Sequence, residues 1–312
     1  MRSFVVSALR EPPFIGVRHG DTESVAREST GWAQDLGLIS NGQRLRRADA
    51  AGLAGRACPY VPRERLRLLA DLISWLFVMD DACDEDGLGD QPARLAPTVA
   101  ALLDVLDRQG APGPVPPGAA GTLALGLADL CQRIRGHRRP AALLRFVAGM
   151  RDYLLALLWE AANREHERVP PVDEYVQMRR YTGAVYPSLT LTDLVIDGFP
   201  SAVRRADPDW AALETLAADL ICWCNDVFSY RKEHHGGPDA HNLITVLARE
   251  TGDESTALRV ATDRFNERLG AYLAAETDLL AAHGDAVRPA LDTRRNWIRA
   301  TYDWSRAAAR YA

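Results

Sequence analysis

Residues 63–86 read Arg-Glu-Arg-Leu-Arg-Leu-Leu-Ala-Asp-Leu-Ile-Ser-Trp-Leu-Phe-Val-Met-Asp-Asp-Ala-Cys-Asp-Glu-Asp. Leu66, Leu69, Ile73, Leu76 and Phe77 recur every three or four positions, the period of one helical face. The apolar run then stops abruptly on five carboxylates, Asp80, Asp81, Asp84, Glu85 and Asp86. On a helix Asp80 stacks with Asp84 and Asp81 with Glu85, and like charges four apart repel. Gly87 and Gly89 place these acids at a helix C-terminus, where the macrodipole also disfavours negative charge. Local physics opposes the arrangement unless cations neutralise it. A solvated acidic helix end is the bland reading, and the direct attachment to the apolar run Trp75–Met79 weighs against it. Hard oxygen ligands suit Mg²⁺, with Mn²⁺ as the alternative, rather than zinc. Because Mg²⁺ is usually completed by substrate phosphates, one or two carboxylates suffice.

Working outward, two further helical faces are plain. Phe146, Met150, Tyr153, Leu154, Leu157 and Leu158 mark one, and Leu213, Leu216, Leu220, Trp223 and Val227 the other. Strand-like alternation is almost absent, so the fold class is all-α. Gly110–Gly121 carries four prolines and four glycines and reads as a surface loop. Pro170-Pro171 before Asp173-Glu174 marks a helix start, and Gly236-Gly237-Pro238 a helix end. Residues 1–30 show no sustained period and are expected to form a partly ordered arm. Residues 31–312 are expected to form a single α-helical domain.

Composition narrows the function classes. The 312 residues carry a net charge of −5 and are 47% hydrophobic, so no basic field invites nucleic acid. Five cysteines without a Cys-x-x-Cys pair fit a reduced setting better than a disulfide scaffold. The N-terminus lacks a secretion-type apolar segment, and no run approaches the roughly 18–20 apolar residues of a membrane span. The expected location is cytoplasmic, without stable membrane insertion.

The third helix adds a second set of oxygen donors. Asn225, Ser229 and Glu233 recur every fourth residue, each step rising about 6 Å along the axis. The short Ser229 sits between two longer side chains that can lean inward, so all three can reach one ion. Alternatively, the stripe is a polar helix face with Ser229 bonded back to a carbonyl. Adjacent His234 and His235 lack a further spaced ligand set and read as solvent-facing.

Asp80-Asp81-x-x-Asp84-Glu85 resembles the aspartate-rich motif of class I terpene synthases. Asn225-Asp226-x-x-Ser229-x-x-Lys232-Glu233 closely resembles their second metal motif, and the order along the chain is the same. The resemblance spans roughly residues 46–312. It implies an α-helical bundle around a central apolar cavity and three Mg²⁺ ions clamped on the diphosphate of an isoprenoid substrate. Asp80, Asp84, Asn225, Ser229 and Glu233 would be the metal ligands, with Asp81 and Glu85 secondary. The segment Arg179-Arg180-Tyr181-Thr182-Gly183 resembles the family's diphosphate sensor region. In bacterial members the sensor arginine precedes the metal-binding Asn by 46 residues, which selects Arg179 and makes Thr182 the linker and Gly183 the effector. Arg310-Tyr311, after Trp304-Ser305, resembles the terminal pair that bonds the diphosphate, and Lys232 is a further phosphate candidate.

No nucleophilic side chain or organic cofactor is needed for such ionisation, but the cation left behind needs a water-poor wall. Phe77 and Trp304 are the leading aromatic candidates, with Trp75 and Tyr186 behind them. Farnesyl diphosphate is the first expectation for substrate, ahead of geranylgeranyl and geranyl diphosphate; a homodimer is left open. A chain-elongating prenyltransferase would carry a second aspartate-rich motif where this chain has Asn225, Ser229 and Glu233. A non-catalytic helical scaffold would leave both polar stripes on its surface.

Overall fold

Helical spacing of apolar residues becomes helices throughout the computed structural model, which describes residues 8–198, 206–235 and 241–308, for 231–235 the backbone alone. The N-terminal half holds α1 (Thr22–Asp35), α2 (Gln43–Ala48), α3 (Ala50–Ala57), α4 (Arg63–Asp84), α5 (Pro92–Asp107), α6 (Gly118–Gly136) and α7 (Pro140–Glu165). Then follow α8 (Val172–Thr182), α9 (Val185–Val195), α10 (Pro208–His235), α11 (Leu243–Thr251), α12 (Glu254–His283) and α13 (Arg288–Ala307). Among the described residues there is no strand.

Helix α4 is buried on nearly every side from Leu66 to Trp75, with Asp71 and Ser74 enclosed as well. Such all-round burial marks a central helix; α1, α3, α6 and α9 surround it. Asp71 is neutralised by Arg133 at 2.7 Å and Arg67 at 3.2 Å. Helix α10 occupies the other centre, packed against α12 and α13. A buried ionic cluster fixes that half: Arg294 of α13 bonds Asp193 of α9 at 2.5 Å and Glu214 of α10 at 2.6 Å, and Arg145 of α7 also reaches Glu214, at 2.7 Å. Burial pushes the Asp193 carboxyl up to about 6, against the pull of Arg294. Breaking one member of such a cluster leaves an uncompensated charge, so it fixes the mutual positions of four helices.

The expected arm over residues 1–30 needs correction. Helix α1 runs from Thr22 to Asp35, across the expected boundary, and Val25, Ser29 and Ala33 are buried. Its buried stripe is narrow and made of small or polar residues, which hides its period. The next two helices are separated only at Asp49, whose φ of 49° is left-handed, and α3 packs on α13. The expected loop at Gly110–Gly121 is shorter than anticipated, since α6 begins at Gly118.

Candidate active site

Helices α4, α7, α8, α9, α10 and α13 enclose a cavity of about 1100 Å³. Ile73, Leu76, Leu157, Val185 and Ile221 supply apolar wall. The last turn of α4 supplies its acidic rim. Asp80 and Asp84, one helical turn apart, both line the cavity, as does Glu85 at the helix end. Asp81 is rotated about 100° from Asp80 and is buried outside the lining. Arginines meet the crowded acids: Arg164 of α7 bonds Asp84 at 2.6 Å, and Arg44 of α2 forks onto exposed Asp86 at 3.1–3.2 Å.

Across the cavity stands Arg179 of α8. Its Nε donates to Asp226 Oδ1 at 2.8 Å and its Nη2 to Asn225 Oδ1 at 3.0 Å. Asp226 is buried and also accepts from the Tyr175 hydroxyl at 2.5 Å and the Leu243 amide at 3.3 Å. Burial pulls the Arg179 guanidinium down from its ordinary value, but the Asp226 carboxylate outweighs it and holds it well above that value. Arg180, one residue on, points elsewhere and forks onto Asp219 at 2.6 and 3.1 Å. Only the first of the two arginines lines the cavity.

The chain breaks its helical course at Gly183 and Ala184. Helix α8 ends at Thr182, Ala184 is left-handed at φ 49°, and α9 starts at Val185. Gly183 has no room for a side chain, because a Cβ there would approach Cys222 Sγ to 2.7 Å. Thr182 and Gly183 both line the cavity beside Arg179.

The second donor stripe is only partly assembled. Asn225 lines the cavity; Ser229 is buried, lies outside the lining, and its hydroxyl donates to the Asp226 carbonyl at 3.4 Å. That back-bond is the alternative anticipated for a mid-helix serine. The side chains of Lys232 and Glu233, and all of Arg310 and Tyr311, lie outside the described residues.

Among the aromatic candidates, Phe77 and Trp304 line the cavity and stack on each other, with centroids 5.7 Å apart and planes at 15°. Two candidates are corrected. Trp75 is buried with Nε1 bonded to the Leu123 carbonyl at 2.9 Å, on the α6 side of its helix. Tyr186 packs against Tyr181, centroids 5.8 Å apart, and is not part of the lining. Sequence reasoning missed Tyr153, Glu160, Asn163, Arg164, Trp297 and His241, all of which line the cavity. Glu160, Asn163 and Arg164, at helical spacing just beyond the apolar run Tyr153–Leu158 of α7, were a legible signal. Asn163 also lies 3.2 Å from His241 Nε2.

The donor set fits a magnesium-type ion. Carboxylates of Asp80, Asp84 and Glu85 and the amide oxygen of Asn225 are hard ligands facing one chamber. Among the described residues no three His, Cys, Asp or Glu side chains converge into a group that could hold a metal ion by themselves.

A helical bundle around an apolar chamber lined by the α4 carboxylates and by Arg179 is the arrangement of a class I terpene synthase, a carbon–oxygen lyase acting on phosphates. Residues 71–270 match the family model described as terpene synthase family 2, C-terminal metal binding, and the chain belongs to that family. It is 35% identical to a (+)-T-muurolol synthase of Roseiflexus castenholzii that cyclises (2E,6E)-farnesyl diphosphate, over 96% of this chain and 92% of the relative. It is 32% identical to a 4-epi-cubebol synthase of Streptosporangium roseum, also described as cyclising that diphosphate, over 96% and 90%. Among solved structures, a variant of cucumene synthase superposes with a TM-score of 0.83 at 26% identity, covering 97% of this chain and 100% of the other. An a-eudesmol synthase gives 0.81 at 23% identity, covering 96% and 99%, a likeness of fold.

Proposed function

We propose that the protein ionises farnesyl diphosphate in a Mg²⁺-dependent reaction and cyclises the resulting cation to a sesquiterpene, releasing diphosphate. One observation carries this reading: the acidic end of α4 and the Arg179–Asn225 pair open onto a single apolar chamber of about 1100 Å³. The substrate assignment is supported by relatives whose names specify farnesyl diphosphate.

Asp80, Asp84, Asn225, Ser229 and Glu233 would hold the metal, with Asp81 and Glu85 secondary; Ser229 would have to exchange its bond to the Asp226 carbonyl for that role, and Asp81 would have to turn into the cavity. When bound, Mg²⁺ supplies positive charge against the leaving diphosphate. Arg179, held charged by Asp226, adds a fixed cation beside the same oxygens, and Lys232, Arg310 and Tyr311 would add donors. Thr182 and Gly183 carry the helix break past the reacting end of the substrate. Phe77 and Trp304 line the space where the cation is left behind, and an aromatic face is worth roughly 0.5–2 kcal/mol to it. The apolar side chains between them exclude water until the ring system has formed.

Incubation with geranyl, farnesyl and geranylgeranyl diphosphate and Mg²⁺, followed by gas chromatography with mass detection, tests the proposal. Cyclic fifteen-carbon products from farnesyl diphosphate alone, lost on chelation, are expected. Products from another chain length only, or turnover indifferent to chelator, would refute it.

A further inference from the structure

Two indoles face the chamber, and each has its N–H bonded behind the wall. Trp304 Nε1 donates to the Ala48 carbonyl at 2.9 Å and the Asp49 carbonyl at 3.2 Å, on either side of the left-handed kink. Trp297 Nε1 donates to Thr192 Oγ1 at 2.8 Å. Trp297 lines the cavity, whereas Thr192 is fully buried and does not. The two bonds therefore turn the polar edge of each ring away from the space where the substrate sits. That edge matters for a cation. An aromatic ring is negative over its face and positive along its edge, and an N–H sharpens the positive side.

Thr192 is built for this task. Its hydroxyl donates to the Ser188 carbonyl at 2.9 Å, which fixes the proton and leaves the oxygen lone pairs for the indole. The β-branch of Thr192 restricts χ1, and the back-bond to the preceding turn selects the rotamer. The opposite end of the arrangement is equally fixed, since Arg294, one turn before Trp297 on α13, is clamped to Asp193, the neighbour of Thr192. The indole cannot rotate without leaving its N–H unpaired in an apolar wall.

We propose that Thr192 is a positioning residue for Trp297, holding the indole N–H out of the chamber so that cationic intermediates meet only the ring carbons, and that this orientation governs product choice. The inference rests on the reading of the chamber as the site of cation formation. Thr192 itself touches no substrate; it acts through the tryptophan.

The test compares Thr192→Val, Thr192→Ser, Trp297→Phe and the Trp297→Phe/Thr192→Val double variant. Products are profiled by gas chromatography with whichever of farnesyl and geranylgeranyl diphosphate the parent protein turns over. Thr192→Val is expected to change the ratio of main to second product about tenfold, the effect of one unpaired buried N–H, with KM nearly unchanged. Thr192→Ser keeps the acceptor and should retain the parental profile. In the Trp297→Phe background, Thr192→Val should add nothing. An unaltered profile in Thr192→Val, or the same shift with phenylalanine at 297, would overturn the proposal. A second measurement needs only the parent and Trp297→Phe: in ¹⁵N-tryptophan spectra the signal lost on substitution should exchange slowly with solvent, and fast exchange would overturn the anchor. Turnover of geranylgeranyl diphosphate alone would refute the farnesyl assignment while leaving this comparison intact.

Discussion

Replacing Asp226 by asparagine removes one negative charge from the interior at nearly constant volume. Arg179 keeps 14% of its side-chain surface exposed and Asp226 2%, so the pair belongs to the buried regime rather than to screened surface bridges. Breaking a buried pair by neutralising one partner costs about 3–5 kcal/mol, because the other charge stays behind. Unfolding entropy of about 2.1 cal/mol/K per residue over 312 residues converts that into a fall in Tm of about 5–8 °C. The asparagine amide would also face two donors, Arg179 Nε and the Tyr175 hydroxyl, and the guanidinium would move off its present position between Asn225 and residue 226. A displacement of about 1 Å in a catalytic cation can cost about 100-fold in turnover. Scanning fluorimetry and a steady-state assay of diphosphate release measure the two effects. The variant Arg179→Met/Asp226→Asn removes both charges and should recover most of the lost stability but none of the turnover. An Asp226→Asn protein melting within about 1 °C of the parent, or a double variant no more stable than the single, would refute the account of how Arg179 is held.

Three other outcomes follow from the same structure. Asn225→Ala and Glu233→Ala should each lower Mg²⁺-dependent turnover sharply while leaving the far-ultraviolet circular dichroism of the folded protein unchanged; normal activity in either would remove that residue from the ligand set. Phe77→Ala should alter the product mixture more than the metal requirement, because it removes the stacking partner of Trp304 and leaves the acidic rim in place; unchanged products and rate would take Phe77 out of the wall. All five cysteines are buried and free, and burial pushes the Cys131 and Cys222 thiols up to about 12. Their folded values exceed their unfolded ones, so the stability they contribute is complete below about pH 8.5. It is lost as pH rises toward 12, at about 1.4 kcal/mol per thiol and pH unit. A disulfide reagent at pH 8 should therefore titrate no thiol in the native protein and five after denaturation, and Tm should hold to about pH 8.5 and fall above it. Rapid native labelling would contradict the burial.

The sequence by itself determined the helical class, the family resemblance and much of the site. Period, composition and punctuation are local properties, and they suffice to find α4, α7 and α10 and the helix start after Pro170-Pro171. Helical geometry put Asp80 and Asp84 on one face, and both line the cavity; Glu85, paired with Asp81 by that geometry, lines it too, whereas Asp81 does not. The 46-residue spacing carried by the family resemblance selected Arg179 over Arg180, and only Arg179 lines the cavity, 3.0 Å from Asn225 Oδ1.

Only the tertiary structure decided what each side chain faces across the gap between helices. Trp75 and Phe77 both sit on an apolar helix, yet one points to α6 and the other to the chamber, according to which neighbour each side of a fully surrounded helix meets. Helix α1 was obscured because its buried stripe is narrow and partly polar, so its stability comes from contacts with α3 and α4 and not from its own pattern. Arg164 on Asp84, Asp226 beneath Arg179 and Thr192 behind Trp297 join residues 80, 47 and 105 positions apart. Pairings over such distances are set by how helices pack, which no local period encodes.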